Sequence, residues 1–136
     1  MNHFLDTTAL VAHALAEAGG SEAQALIANE EHEFFISPLS LFELASVLKQ
    51  NGSIEYIPIY WETYRQVAEV IPVDAALAES AWDLREKIGK RIPIADAIIA
   101  SASKLVEATL VHRDPHLAQI PNSLIPRIHL PHSKNL

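Results

Sequence analysis

The stretch IPIADAIIASASKLVEATLVHRD, residues 92–114, decides the fold because it joins a helical pattern to a short strand that ends in an aspartate. Pro93 is typical of the first turn of a helix, and the residues around Asp96 are apolar or small on every side, which predicts a buried helix. The branched residues of TLVH then predict a strand, and Asp114 follows it closely. A helix that leads directly into a strand is typical of an α/β fold.

The beginning of the chain has the complementary order of strand and then helix. HFLD, residues 3–6, predicts a strand that ends at Asp6, and TTALVAHALAEA, residues 7–18, has helical composition up to a pair of glycines. In α/β proteins with parallel sheets, ligands bind beyond the carboxyl ends of the strands. Because Asp6 and Asp114 both stand at that end of a predicted strand, we expect a functional site there.

The remaining segments of the chain alternate in the same way. They predict helices over residues 21–32 (capped by Ser21), 38–52 (capped by Ser37), 60–70 and 74–89 (capped by Asp74), and strands over residues 33–36, 70–73 and 125–130. This order predicts a three-layer α/β sandwich with a mostly parallel central sheet flanked by helices. There is no repeat, low-complexity tract or long linker, so we expect a single domain over residues 1–136.

The composition excludes several classes of protein. The chain contains no cysteine, which excludes disulfides, thiolate zinc sites and cysteine nucleophiles. Charged residues interrupt it too often to leave the roughly 18 apolar positions that a membrane span needs, so we expect no membrane association. The opening MNHFLD lacks the pattern of a signal peptide, and we therefore expect a cytoplasmic protein.

The charge is unevenly distributed along the chain. The net charge of -7 argues against a protein that coats nucleic acid non-specifically. Four cations nevertheless lie within seven residues, just before Asp96: Arg85, Lys87, Lys90 and Arg91. Such a run is either a solvated helix end or a patch that contacts an anionic ligand.

Two further carboxylates lie in apolar surroundings. Glu43 stands among apolar residues in SPLSLFELASVL, residues 37–48, and Asp96 lies in the predicted buried helix. A buried ionised carboxylate is costly unless a cation or several donors meet it. Taken singly, each acid has a structural explanation: Asp6 as a helix cap, Asp114 as a turn residue, and the others as partners of an arginine or of a neighbouring helix end. Four acids at one crevice favour a divalent cation, and oxygen ligands select Mg²⁺ or Mn²⁺.

Four motifs in their order along the chain resemble the PIN-domain ribonucleases, especially VapC-type toxins of toxin-antitoxin pairs. They are LDTTALVA (5–12), SPLSLFELASVL (37–48), IPIADAIIASASKL (92–105) and ATLVHRDPHLAQI (108–120). The resemblance implies that Asp6 and Asp96 are the principal metal ligands and that Glu43 and Asp114 complete the acidic cluster. Thr8 matches the small polar residue that often follows the first aspartate by two positions. The sequence departs from the pattern at His112, where Thr or Ser is common, and this departure bears on the fine positioning of the site.

The resemblance also implies an activity and partners. It implies a Mg²⁺-dependent endoribonuclease in which metal-activated water hydrolyses RNA phosphodiesters to 5'-phosphate and 3'-hydroxyl ends. The basic cluster of residues 85–91 would then hold the RNA backbone. Such toxins usually form homodimers and are inhibited by a VapB-like antitoxin whose tail fills the active-site groove. The aromatic stretch IEYIPIYWETY, residues 54–64, either contacts a partner or completes the core.

The sequence fits three other kinds of protein or site less well and leaves a fourth open. A zinc site from His112 and His116 needs a helix, and Pro115 argues against one. A phosphotransferase with Asp6 as its nucleophile would carry a second aspartate where Thr8 stands, and a Ser-His-Asp hydrolase would carry a G-x-S-x-G motif, which does not occur. A PIN-like binding or scaffold module with little catalysis remains open, and RNA cleavage with and without a chelator separates it from the nuclease.

Overall fold

The computed structural model describes residues 1–132 and contains a central sheet of five strands. The strands are β1 (Asn2–Leu5), β2 (Glu33–Ile36), β3 (Glu69–Val70), β4 (Thr109–His112) and β5 (Arg127–His129). Their order is β3-β2-β1-β4-β5, and every neighbouring pair is parallel. The predicted α/β sandwich is confirmed, with a sheet that is parallel throughout these residues.

Within residues 1–132, six α-helices cover the two faces of the sheet. They are α1 (Thr7–Ala14), α2 (Gly20–Ile27), α3 (Pro38–Gln50), α4 (Ile57–Val67), α5 (Ala75–Ile88) and α6 (Ile94–Leu105). Successive side chains of a strand point to opposite faces, so Phe4 packs in the core beside α5 and α6, whereas Leu5 packs in the core beside α1, α3 and α4. The sheet therefore separates two apolar cores.

Several helix ends follow local sequence signals. Ser37 caps α3 by accepting the N–H of Leu39 at 3.2 Å, with Pro38 in the first helical position. Asp74 caps α5 by accepting the N–H of Leu77 at 2.9 Å, as predicted. These caps satisfy backbone donors that a helix cannot satisfy internally.

The connection between α1 and α2 differs from the prediction. Helix α1 ends at Ala14 rather than at residue 18, and α2 begins at Gly20 with Gly19 as its N-cap, so the prediction that Ser21 caps α2 is wrong. The Ser21 hydroxyl instead donates to Glu22. The chain turns earlier because Ala16 and Gly19 adopt positive φ angles of 52° and 89°.

The aromatic stretch of residues 54–64 is divided between core and surface. Tyr64 is buried, the Tyr60 hydroxyl donates to the carbonyl of Ala14 at 3.0 Å, and Trp61 Nε1 donates to the carbonyl of Leu41 at 2.8 Å. Tyr56, in contrast, is exposed. Across residues 1–132, no helix is both long and apolar enough to cross a membrane.

Candidate metal centre

Asp6 lies at the carboxyl end of β1, where it both caps α1 and faces the other acids. Its Oδ1 accepts the N–H of Ala9 at 3.0 Å and the hydroxyl of Thr8 at 2.7 Å. Burial raises the pKa of Asp6 to about 7, and the charges of Asp114 and Asp96 contribute to this rise. The capping role expected from the sequence and a place in the acidic cluster are therefore compatible.

Asp96 reaches the same place from the first turn of α6. Its side chain is only 13% exposed, and burial together with the nearby charge of Asp114 raises its pKa to about 7. The charge of Glu43 adds to this rise, whereas His116 opposes it. Asp96 is thus held where its charged form is disfavoured unless a cation is present.

Asp114 lies in the tight turn that follows β4. Its Oδ1 accepts the backbone N–H of His116 at 2.7 Å, so the expected turn role is present. The imidazole Nδ1 of His116 lies 3.1 Å from the same Oδ1 and 3.9 Å from Asp96 Oδ2. One ligand atom from each of Asp96, Asp114 and His116 falls within 4.8 Å of the other two.

Sequence reasoning missed His116 because it considered this histidine only as a partner of His112 in a helix. The structure places His112 in β4 and His116 in the turn after it, which agrees with the argument from Pro115 against a helical zinc pair. The sequence signal for His116 is the segment Asp-Pro-His. An aspartate carboxylate that accepts the backbone N–H two residues later forms a tight turn.

Glu43 projects from α3 and is held by a residue that sequence reasoning also missed. The Thr7 hydroxyl lies 2.8 Å from Glu43 Oε1, to which it donates, and 3.0 Å from Ser40 Oγ. Thr8, predicted as a supporting polar residue, donates to Asp6 and accepts the backbone N–H of Arg113 at 2.8 Å. The two hydroxyls at the start of α1 thus connect β1 to α3 and to the end of β4.

His112 fixes the backbone of Asp114. It is fully buried, and its Nδ1 accepts the N–H of Asp114 at 3.2 Å. Burial, together with the neighbouring His129 and Arg127, lowers the pKa of His112 to about 4, so its ring is neutral near pH 7 and one ring nitrogen can accept. The histidine that departs from the family pattern therefore holds the loop that carries the fourth acid.

The four predicted basic residues do not share one surface. Arg85, Lys90 and Arg91 line a shallow cavity of about 290 Å³ at the C-terminal end of α5. Lys87 lines a different cavity of about 490 Å³ between α5 and α6. Arg85 is partly engaged, because its Nη1 donates to the carbonyl of Ile92 at 3.4 Å.

The donor set fits a hard divalent cation. Asp6, Glu43, Asp96 and Asp114 influence one another electrostatically: the charges of Asp96 and Asp114 raise the pKa of Asp6, and those of Asp114 and Glu43 raise the pKa of Asp96. A cation bound among them would remove this repulsion. Carboxylate oxygens are the ligands that Mg²⁺ and Mn²⁺ accept most readily.

Comparison with known proteins agrees with this geometry. Residues 3–122 match the PIN domain family, which is nearly the whole described chain. The chain belongs to the PIN-domain family. All four acids of this PIN domain, and His116, lie within the matched residues.

Solved structures share the fold of this PIN domain. One is VapBC2 from Rickettsia felis bound to a promoter DNA fragment, with a TM-score of 0.73 and 22% identity, covering 96% of this chain and 100% of that chain. Another is DNA-bound VapBC from Salmonella typhimurium, with a TM-score of 0.72 and 19% identity, covering 95% and 98%. The sarcin-ricin loop cleaving toxin VapC20 from Mycobacterium tuberculosis has a TM-score of 0.71 and 19% identity, covering 85% and 92%. No curated protein sequence matches the chain significantly.

Proposed function

We propose that this PIN domain is a Mg²⁺-dependent endoribonuclease and the toxin of a VapBC-type toxin-antitoxin pair. The observation that carries the proposal is the acidic cluster at the carboxyl edge of the sheet. One ligand atom from each of Asp96, Asp114 and His116 lies within 4.8 Å of the other two, and the charges of Asp96 and Asp114 help burial to raise the pKa of Asp6 to about 7. Perturbed carboxylates in a crevice are typical of functional sites. The similarity of the fold to VapC toxins supports the choice of RNA as substrate.

Each acid has a role in this proposal. Asp6, Asp96 and Asp114 hold the cation, and Glu43 completes the cluster while Thr7 keeps its carboxylate oriented. When bound, Mg²⁺ supplies a Lewis acid that activates water and stabilises charge on a phosphodiester. With water as the nucleophile no 2',3'-cyclic phosphate forms, and we expect the 3'-oxygen to be the leaving group, as the family resemblance implies, so that the products carry 5'-phosphate and 3'-hydroxyl ends.

The cavity at the end of α5 is the proposed contact for the RNA backbone. Arg85, Lys90 and Arg91 line it together with a single acid, Glu86. The chain then passes through Ile92 into α6, whose first turn carries Asp96. Lys87 faces a different cavity, so we expect it to contribute less. The acidic remainder of the molecule suits an enzyme that selects RNA loops by shape rather than one that binds RNA everywhere.

The proposed partners are a VapB-like antitoxin and a second copy of the chain. The fold resembles toxins whose structures are described as VapBC complexes, which supports the antitoxin. Phe42 stands beside Glu43 on α3 and is 73% exposed, and Ile54 and Ile59 are also exposed. We infer that these side chains contribute to a surface that a partner covers, since contiguous exposed apolar patches are typical of such surfaces.

The test compares RNA cleavage by the wild type with cleavage by Asp96→Asn. This change keeps the shape of the side chain but removes one negative ligand, so we expect the rate to fall by orders of magnitude while the circular dichroism spectrum is unchanged. Asp83→Asn, at an exposed position on α5, is the matched control and should cleave normally. Chelation with EDTA should stop the wild type, and added Mg²⁺ should restore it.

Two results would contradict the nuclease. If Asp96→Asn still cleaves RNA, or if EDTA does not inhibit the wild type, the metal centre takes no part in the reaction. RNA binding without cleavage by a folded, Mg²⁺-loaded wild type would instead favour the binding-module interpretation. If cleavage is found, sequencing of the 5' ends in digested cellular RNA identifies the cut site.

A further inference from the structure

His116 occupies a position that a ligand of the same metal ion would occupy. Its Nδ1 lies 3.1 Å from Asp114 Oδ1 and 3.9 Å from Asp96 Oδ2. On an octahedral ion with bonds of about 2.1 Å, neighbouring ligands are about 3.0 Å apart and opposite ligands about 4.2 Å apart. Both distances lie within the range that ligands of one ion span.

The imidazole of His116 is not needed to hold its own loop. The backbone N–H of His116 donates to Asp114 Oδ1 at 2.7 Å, and Pro115 restricts the residue between them. The hydrogen bond and the proline fix the turn independently of the imidazole ring. The side chain is 51% exposed, so Nδ1 is free to exchange its contact with Asp114 for a metal ion.

We propose that His116 is a nitrogen ligand of the metal centre and makes that centre favour Mn²⁺ over Mg²⁺. The inference rests on the proposed function, because it requires a metal ion among the acids. Mg²⁺ is a hard ion that keeps oxygen ligands and water. Mn²⁺ is larger and softer than Mg²⁺ and accepts imidazole nitrogen more readily, although it has the lowest affinity of the first-row series for such sites. A nitrogen ligand beside carboxylates therefore adds more to the binding of Mn²⁺ than to that of Mg²⁺.

The direct test is pulsed electron paramagnetic resonance of the full chain loaded with Mn²⁺ in the absence of RNA. We expect the wild type to show a ¹⁴N coupling from a directly bound imidazole. His116→Gln should still bind Mn²⁺ but lose this coupling. His132→Gln, which removes another exposed histidine, is the matched control and should retain the coupling.

Calorimetric titration provides a second readout that is independent of activity. His116→Gln should weaken Mn²⁺ binding by at least about tenfold, since even the loss of an outer-shell partner of a metal ligand costs that much. The affinity for Mg²⁺ should hardly change. Equal losses for both ions would show that His116 has no part in selectivity and would overturn that half of the inference.

The outcomes separate this inference from the proposed function. If Mn²⁺ binding is lost in Asp96→Asn but the wild type shows no ¹⁴N coupling, the metal centre stands and His116 is not a ligand. If the coupling disappears in His132→Gln instead, the nitrogen ligand belongs elsewhere. If the wild type binds no Mn²⁺, or binds it no more tightly than Asp96→Asn does, both the metal centre and the role of His116 are refuted.

Discussion

Asp6 and Asp96 make the metal-free protein sensitive to pH. Both carboxyl groups have an ordinary pKa of 3.8, which the folded structure raises to about 7, mainly through burial. The folded state therefore binds protons more tightly than the unfolded state, and stability falls as the pH rises from about 4 to about 7. We expect the melting temperature in EDTA to decrease from about pH 5 to about pH 7 and then to level off. Asp96→Asn should flatten this decrease, and an equally steep profile in that variant would contradict the assignment.

Thr7 is a positioning residue for Glu43, and its contribution can be measured. Thr7→Val keeps the shape but removes the hydroxyl that donates to Glu43 Oε1 at 2.8 Å. We expect kcat for RNA cleavage to fall by about tenfold, as is typical for partners that orient metal-site ligands. Thr7→Ser restores the donor and should recover most of the rate. Thr63→Val, at an exposed position on α4, is the matched control, and a similar loss there would argue for a general effect on the fold.

At the scale of elements, the sequence predicts the helix starts that carry a side-chain cap, whereas it misplaces the start of α2, which carries none. Ser37 and Asp74 carry side-chain caps that are local signals, and both begin helices as predicted. The end of α1 depends instead on how α2 packs against it, and no local sequence pattern predicts this packing. The same limit explains His116, since its relation to Asp96 arises only when α6 and the turn after β4 are placed together.

The contact between α1 and α2 requires a glycine at position 20. A Cβ on Gly20 would clash with the carbonyl oxygen of Ala12 and lie 3.1 Å from its carbonyl carbon. Gly20→Ala should therefore destabilise the protein by about 1–3 kcal/mol through overpacking. Gly52→Ala is the control, because its Cβ would meet nothing within 4 Å and only its positive φ of 71° is strained. Urea denaturation should show a smaller loss for Gly52→Ala, and equal losses would refute the steric explanation.

At the scale of the whole molecule, the strand order assembles the site. Strands β1 and β4 are far apart in sequence, yet they pair directly, with Leu5 opposite Val111. This pairing brings Asp6 and Asp114 to one edge, and the Asp6 N–H donates to the carbonyl of Val111 at 3.1 Å. The sequence predicts that these acids end parallel strands, but it does not predict that the strands are neighbours. The proximity of these acids, and the electrostatic repulsion among them, therefore come from the topology.

The electrostatic repulsion among the four acids predicts that a divalent cation stabilises the whole fold. Because the acids are closest in the folded state, we expect Mg²⁺ to bind that state preferentially; a ligand that does so stabilises the fold by about 2.7 kcal/mol at a concentration 100 times its dissociation constant. We expect the melting temperature, measured at a pH above 7 where Asp6 and Asp96 are ionised, to rise by several degrees when Mg²⁺ is added. Below pH 7 protons compete with the cation for these carboxylates, so the rise should shrink. Asp96→Asn should show little increase at any pH, whereas an increase equal to that of the wild type would place the bound cation outside the acidic cluster.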